Sequence, residues 1–233
     1  MANPSPLEGL APNLWIATRA LPILVGDIGT RMTVIRLADG SLFLHSPVTL
    51  DAATRAALDS LGPVRHVIAP SKAHSLFAAG YKPAYPDARL YGAPGLAERK
   101  PALGIDAVLG DESPPAWRDE IEQHVFRGAA VLNEVVFFHR ATRTLLLTDL
   151  AFNVPHGRTA GARVFHWLVG TEGRFGPHRL VRLGIRDHAA ARRSLERILA
   201  WDFDRVVVTH GDVLESGGKA RLREAFAFLG GAG

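Results

Sequence analysis

Three apolar runs along this chain of 233 residues end abruptly in polar loops. They are His66–Ala69, the first part of Thr144–Asp149 and the first part of Arg205–Asp212. Each run has the length of a buried strand, and its loop carries a group that binds metals or transfers protons: His74, Asp149 or His210. Strand ends of this kind are a common position for the sites of α/β enzymes. The pattern therefore makes these three side chains the first candidates for function.

Two pairs of apolar runs predict β-hairpins. Met32–Leu37 and Ser41–His45 flank Asp39-Gly40, a dipeptide that favours hairpin turns. Glu134–His139 and Thr144–Leu150 are joined by a short polar turn. Hairpins make neighbouring strands antiparallel, so the pattern argues against one wholly parallel sheet.

Helical spacing of apolar residues marks further segments, chiefly Leu50–Leu61, Asp187–Trp201 and Lys219–Leu229. The helices are interspersed among strands in both halves of the chain, and no repeat or interdomain linker separates them. The sequence thus predicts an α/β (α+β) protein with two mixed sheets, helices outside them, and a single domain over residues 1–233.

The composition of the chain limits the kinds of site that it can form. Hydrophobic residues make up 47% of the chain and charged residues 21%, as in ordinary globular proteins. The chain has no cysteine, so disulfides and thiolate chemistry are excluded and any metal must be bound by His, Asp or Glu. The first residues lack the pattern of a secretory signal, and no apolar run approaches the ~20 residues of a membrane span. We therefore expect a cytoplasmic protein that does not bind a membrane.

The net charge of +4 is mild, but several arginines lie within Arg174–Arg197, a partly helical stretch. Two interpretations of this stretch stay open, a solvated helix face and an anion-binding surface. No zinc-finger, basic-zipper or aromatic RNA-binding signature accompanies the arginines, so nucleic acid is not an expected partner.

Six phrases between Leu14 and His210 are specific as a set. They are Arg-Met-Thr-Val-Ile-Arg-Leu, His-Ser-Pro-Val, Val-Ile-Ala-Pro-Ser-Lys-Ala-His, Tyr-Pro-Asp-Ala-Arg-Leu, Glu-Val-Val-Phe-Phe-His and Leu-Leu-Thr-Asp-Leu. The set resembles the metallo-β-lactamase superfamily and, more closely, a bacterial family within it, domain of unknown function 4336. The resemblance implies an αββα sandwich with a metal site at one edge.

The metal-binding motif of that superfamily, His-x-His-x-Asp-His after a strand, is incomplete here. If His74 is matched with the last histidine, the three earlier ligand positions fall on Ala69, Ser71 and Ala73. A further histidine position falls near Ala130. The resemblance implies that Asp149 is the bridging carboxylate and His210 the final histidine. The residues that remain would serve the second of two metal positions, which implies one ion instead of two.

Two histidines and one carboxylate, with open positions for water or substrate, are a ligand set typical of catalytic zinc and of non-haem iron. The expectation is therefore a metal-dependent hydrolase in which His74, Asp149 and His210 hold one divalent ion of zinc, iron or manganese. Its substrate would be a small ester, amide or phosphoester. His45 and Lys72 are candidates for catalytic groups that stabilise developing charge, with His45 also a candidate fourth ligand.

Other interpretations remain open at this point. In one of them the metal site has been lost in evolution, leaving an inactive protein that binds a small ligand or a partner, with no metal cofactor.

Asp212 follows His210 by two residues and is a candidate for orienting its ring.

Overall fold

A computed structural model describes residues 6–23, 26–130, 132–155 and 167–230. The chain divides into two compact units. Unit 1 comprises Met1–Arg19 and Thr30–Leu109, and unit 2 comprises Ala20–Gly29 and Gly110–Gly233. That residues 1–233 behave as a single domain stays a prediction.

The strands and helices of the described residues follow in chain order. The strands are β1 (Glu8–Ala11), β2 (Leu14–Arg19), β3 (Pro22–Ile23), β4 (Gly26–Asp27), β5 (Thr30–Arg36), β6 (Leu42–His45), β7 (Val64–Ala69), β8 (Arg89–Gly92), β9 (Ala107–Val108), β10 (Ile121–Val125), β11 (Val135–His139), β12 (Thr144–Leu147), β13 (Phe152–Val154), β14 (Arg174–Gly176) and β15 (Arg205–Val208). The α-helices include α1 (Ala52–Leu61), α2 (Tyr81–Ala84), α3 (Leu96–Arg99), α4 (Arg179–Gly184), α5 (His188–Ala200) and α6 (Gly218–Ala225). Short 3-10 helices span Ala78–Gly80, Pro101–Leu103 and Ala227–Leu229.

Unit 1 contains a seven-stranded mixed sheet in the order β1-β2-β5-β6-β7-β8-β9. The predicted first hairpin is confirmed, since β5 and β6 pair antiparallel with Thr33 opposite His45. The crossover from β6 to the parallel strand β7 contains α1, whose N-terminus is capped by the Asp51 carboxylate accepting the N–H of Thr54. Buried apolar residues from the strands and from α1 form the core of this unit.

The strands β6, β7 and β8 of unit 1 run parallel, with His45 opposite Ile68 and Ala69 opposite Gly92. The carboxyl ends of parallel strands lie at one edge of their sheet. The segments that follow these strands, beginning with Ser46, Pro70 and Ala93, therefore leave the sheet at the same edge.

Unit 2 contains a four-stranded sheet in the order β10-β11-β12-β15. The second predicted hairpin is confirmed by the antiparallel pairing of β11 with β12, and β15 then adds parallel to β12. Val206, Val207 and Val208 are 0–2% exposed, which agrees with a strand covered on both faces. The buried apolar residues of α5 pack into the core of this unit, and the Asp187 carboxylate caps the helix by accepting the N–H of Ala190.

The last predicted helix, Lys219–Leu229, is interrupted in the structure. Helix α6 ends at Ala225, Phe226 takes a non-helical conformation, and a 3-10 helix follows at Ala227–Leu229. No helix in the described parts of the chain is long and apolar enough to cross a membrane.

Candidate functional site

Asp149 and His210 are brought together at the end of the sheet in unit 2. Leu147, the last residue of β12, lies opposite Val208, the last residue of the parallel strand β15. The candidate ligands Asp149 and His210 each follow two residues after these strand ends. His210 Nε2 lies 3.6 Å from Asp149 Oδ1, with the two side chains 6% and 20% exposed. The parallel register of two buried strands thus places these groups side by side.

The distance between the two groups suits a shared metal ion. A separation of 3.6 Å is too long for a hydrogen bond between a ring nitrogen and a carboxylate oxygen. Two donors that each lie roughly 2.0–2.2 Å from one tetrahedral ion are about 3.4 Å apart. Asp149 and His210 therefore supply a histidine and a carboxylate donor of a candidate metal site.

The tautomer of His210 is set by a backbone carbonyl. His210 Nδ1 lies 2.7 Å from the carbonyl oxygen of Gly29, which can only accept, so Nδ1 is the nitrogen that carries the proton. The Nε2 lone pair is consequently directed to the side of Asp149. Metal-binding histidines usually make such a bond with their second nitrogen. The sequence suggested Asp212 for this role, but the partner of Nδ1 is the carbonyl of Gly29, which a pattern of side chains does not reveal.

Opposing effects act on the pKa of His210. Burial lowers it, while Asp149 and the carbonyls of Gly29 and Ile28 raise it, and the net shift is upward from the ordinary value of 6.5. The pair of His210 and Asp149 accordingly favours a positive charge between its two members. A proton or a metal ion satisfies that preference.

The backbone around His210 is fixed by a close approach of β13. Gly211 has a φ of +95°, and a Cβ at this position would lie 2.1 Å from the carbonyl oxygen of Asn153. Asn153 donates its N–H to the His210 carbonyl and accepts the N–H of Asp212. The ring of Phe152 stacks on the His210 ring at 5.3 Å with an interplanar angle of 9°. Glycine at position 211 is thus required for this packing.

Glu134 holds the turn that presents Asp149, a role that sequence reasoning missed because it placed this residue only at the start of a strand. Its fully buried carboxylate accepts the N–H groups of Thr148, Asp149 and Leu150 at 2.6, 2.8 and 2.8 Å. Three consecutive N–H groups are satisfied by one side chain, so the segment after β12 has a defined shape. The signal that could have found it was a charged residue placed directly against an apolar run.

Burial raises the pKa of Glu134 to about 7, and the nearby charge of Asp149 adds to the rise. The hydrogen bonds from Thr148 and Leu150 act in the opposite direction, because they stabilise the carboxylate. Near neutral pH this buried carboxyl group is therefore close to its midpoint of ionisation.

His74 lies in unit 1, in the turn that follows β7. Its Nδ1 is 3.0 Å from the hydroxyl of Ser46, and its N–H donates to the hydroxyl of Ser71 at 3.1 Å. The same turn is fastened by Ser75, which donates to the carbonyl of Lys72 and accepts from Lys100. Hydroxyl groups on an irregular segment thus orient the half-buried His74 ring.

Ser46 is a further residue that the sequence did not single out. It follows β6 directly with a φ of 55°, a left-handed conformation that is uncommon for residues other than glycine. Its N–H donates to the carbonyl of Ile68, and its side chain reaches His74. Ser46 thus joins the end of β6 to the ring of a candidate ligand.

His45 and Lys72, the two predicted catalytic groups, have different surroundings in unit 1. His45 is buried, and its burial followed by the charge of His74 lowers its pKa to about 3. It is therefore neutral at physiological pH. The half-buried Lys72 extends along Gly95, where an added Cβ would lie 3.7 Å from Lys72 Nζ.

The superfamily motif positions before His74 contain no metal donor set. Ala69 ends β7, Ser71 caps the N–H of His74, and Ala73 has no polar side chain. The Ser71 hydroxyl is buried and already engaged. Of these positions, Ser71 contributes to the geometry of the turn.

Comparisons with known proteins agree with this architecture. A family described as "Domain of unknown function (DUF4336)" matches residues 12–164, more than half of the chain. None of the curated proteins matches the sequence.

Solved metallo-β-lactamases are similar over nearly the whole chain. One from Erythrobacter litoralis is 16% identical and covers 96% of this chain and 94% of its own, with a TM-score of 0.66. One from Pontibacter korlensis is 14% identical with coverages of 96% and 97% and a TM-score of 0.64. The metallo-β-lactamase FIM-1 from Pseudomonas aeruginosa, in its mono-zinc form, is 12% identical with coverages of 96% and 92% and a TM-score of 0.60.

At such low identity the likeness shows the fold alone. The chain has the α/β sandwich fold of the metallo-β-lactamases. On the match of more than half its length, it belongs to the family described as domain of unknown function DUF4336.

Proposed function

We propose that this protein is a metal-dependent hydrolase with one divalent ion, held by His74, Asp149 and His210. The observation that carries the proposal is the separation of 3.6 Å between His210 Nε2 and Asp149 Oδ1, which suits two ligands of one ion. Zinc is the first candidate, with iron(II) and manganese as the others. The substrate class is a small ester, amide or phosphoester.

The surroundings of the two ligands in unit 2 support this assignment. The Gly29 carbonyl fixes the proton of His210 on Nδ1, so that Nε2 is the nitrogen offered to the ion. Glu134 fixes the backbone of Asp149. Both residues are therefore held in place by the protein itself before an ion binds, which lowers the entropic cost of binding.

His74 is the proposed third ligand. The resemblance to the superfamily motif selects it, and its Nδ1 is engaged by Ser46, so Nε2 is the nitrogen assigned to the ion. A single ion is proposed because Ala69 and Ala73 offer no donor and the Ser71 hydroxyl already caps the turn. The mono-zinc form of the metallo-β-lactamase FIM-1 shows that a related fold holds one zinc.

A bound divalent ion would supply Lewis acidity toward a water molecule or a substrate oxygen. The chain's own groups supply positioning and charge. His45 is assigned as a neutral hydrogen-bonding group, because its pKa of about 3 excludes the charged form at physiological pH. Lys72 is assigned as a positive charge that stabilises negative charge developing on the substrate.

A second candidate function follows from the incomplete motif. Three of four motif positions lack metal ligands, which favours an inactive protein that binds a small molecule or a partner through the same fold. In that case Asp149 and His210 would share a proton in place of an ion. A cytoplasmic location stays a prediction for either function.

Metal binding decides between the two candidates. Untagged protein is purified, its metal content is measured, and its thermal unfolding is followed with and without zinc, iron(II) or manganese. We expect about one ion per chain and a rise in melting temperature, because an ion that binds only the folded state stabilises it. Asp149→Ala should abolish the rise.

Asp212→Ala is the matched control for this experiment. Asp212 is an exposed carboxylate two residues after His210, and removing it changes the net charge by the same amount as Asp149→Ala. The control should keep the metal-dependent rise. Wild-type protein without metal and without a rise would favour the inactive protein over the hydrolase.

A further inference from the structure

Three arginines line one cavity of unit 2, and none of them belongs to the candidate metal site. Arg174 comes from β14, Arg182 from α4 and Arg221 from α6. The cavity has a volume of about 280 Å³ and is also lined by Phe175, Phe228 and Glu224. Three separate elements thus contribute one arginine each to the lining of this cavity.

These arginines lack acidic partners within the described parts of the chain. The guanidinium carbon of Arg182 lies 4.3 Å from the centre of the Phe228 ring, a cation–π contact that leaves the charge of Arg182 without a carboxylate partner among the described residues. Glu224 lines the cavity without an ion pair to any of the three. The residues outside the described ranges contain no Asp or Glu that could neutralise them.

Some other arginines of unit 2 form ion pairs with carboxylates. Arg127 binds the Asp111 carboxylate through two nitrogens, Arg143 pairs with Asp202, and Arg205 pairs with Glu215. Each of these three arginines has one carboxylate partner of its own. The cavity lined by three arginines and a single glutamate differs from that arrangement.

We propose that this cavity binds a compact phosphate-bearing anion. Positive charges that share one cavity repel one another, and a bound anion offsets this repulsion because it attracts each of them. Guanidinium groups present planar pairs of N–H donors, which match the oxygens of phosphate. The net charge of the lining side chains is +2, from three arginines and one glutamate. The site depends on no metal ligand and is independent of the proposed hydrolase function.

Binding of inorganic phosphate and pyrophosphate to metal-free protein tests the proposal. Isothermal titration at low ionic strength should show one saturable site. Arg182→Gln and Arg221→Gln should each weaken binding about tenfold or more, because each removes charge-assisted hydrogen bonds to the anion. Glu224→Gln should strengthen binding, since it removes the one negative charge in the cavity.

Arg193→Gln is the matched control, because Arg193 is an exposed arginine of α5 outside the cavity and carries the same charge. It should leave the affinity unchanged. All four variants alter exposed side chains, so each is expected to fold, and circular dichroism checks this. Absence of saturable binding, or an equal loss in Arg193→Gln, overturns the proposal.

Discussion

The two sets of candidate site residues are held in place by different means. Asp149 and His210 follow neighbouring strands of one sheet, where the buried Glu134 carboxylate holds the turn of Asp149 and the Gly29 carbonyl holds the ring of His210. His74 lies in an irregular turn of unit 1, where the hydroxyls of Ser46 and Ser71 orient it. Hydrogen bonds to a buried carboxylate contribute more than bonds to neutral hydroxyls. We therefore infer that Asp149 in unit 2 is held more firmly than His74 in unit 1.

The largest expected effect comes from Glu134→Ala. The change leaves three buried N–H groups without an acceptor, and each such group costs about 1–3 kcal/mol. We expect the unfolding free energy to fall by about 3 kcal/mol or more, measured by urea denaturation. Metal affinity should fall with it, because the turn that carries Asp149 loses its shape.

Two variants accompany this measurement. Glu112→Ala removes an exposed glutamate of the same unit and should change stability little. Glu134→Gln keeps one oxygen acceptor but turns an NH₂ group toward the N–H donors, so an intermediate loss is expected. Equal stability of Glu134→Ala and wild type would contradict the view that this carboxylate holds the turn that carries Asp149.

The difference between the two regions also explains what the sequence could predict. The register of β12 and β15 comes from apolar runs such as Val206–Val208, which are visible in the sequence, so the candidates Asp149 and His210 could be found. The two hairpins were also predictable, because their turn residues and the apolar pattern of the flanking strands are visible in the sequence. The residue that follows a buried strand can be read directly from the sequence next to the apolar run.

The groups that orient the ligands were not predictable in this way. Gly29 is 181 residues away from His210 in sequence and acts through its carbonyl, which every residue possesses. Glu134 and Ser46 act through contacts 15 and 28 residues away. Such contacts exist only once the tertiary structure has formed, so a single sequence without spatial information does not indicate them.

The pH dependence of stability should have opposite signs for the two regions. The folded-state pKa of Glu134 is raised from 4.5 to about 7, so its contribution to stability is present below pH 4.5 and is lost as the pH rises through 7. The folded-state pKa of His45 is lowered from 6.5 to about 3, so its contribution is present above pH 6.5 and is lost as the pH falls toward 3.

Urea denaturation of metal-free protein from pH 4 to pH 8 measures both slopes. Glu134→Gln should remove the decline in stability between pH 4.5 and 7. His45→Gln should reduce the loss of stability on the acid side. The decline in stability between pH 4.5 and 7 that is assigned to Glu134 should remain in this variant. If Glu134→Gln keeps the full decline, another group is responsible and the assignment to Glu134 is wrong.

The smallest expected effect concerns Ser46, where strain and hydrogen bonding oppose each other. Ser46→Ala removes the contact with His74 Nδ1 but keeps a Cβ at a φ of 55°, so a loss of about 1 kcal/mol in unfolding free energy is expected. Ser46→Gly removes the same contact and relieves the left-handed strain, a gain of similar size, so its stability should lie near that of wild type. Both variants should weaken metal binding equally, because both leave the His74 ring without its hydroxyl partner. Metal affinity that follows stability instead, lower in Ser46→Ala than in Ser46→Gly, would show that Ser46 acts through the fold and not through orientation of His74.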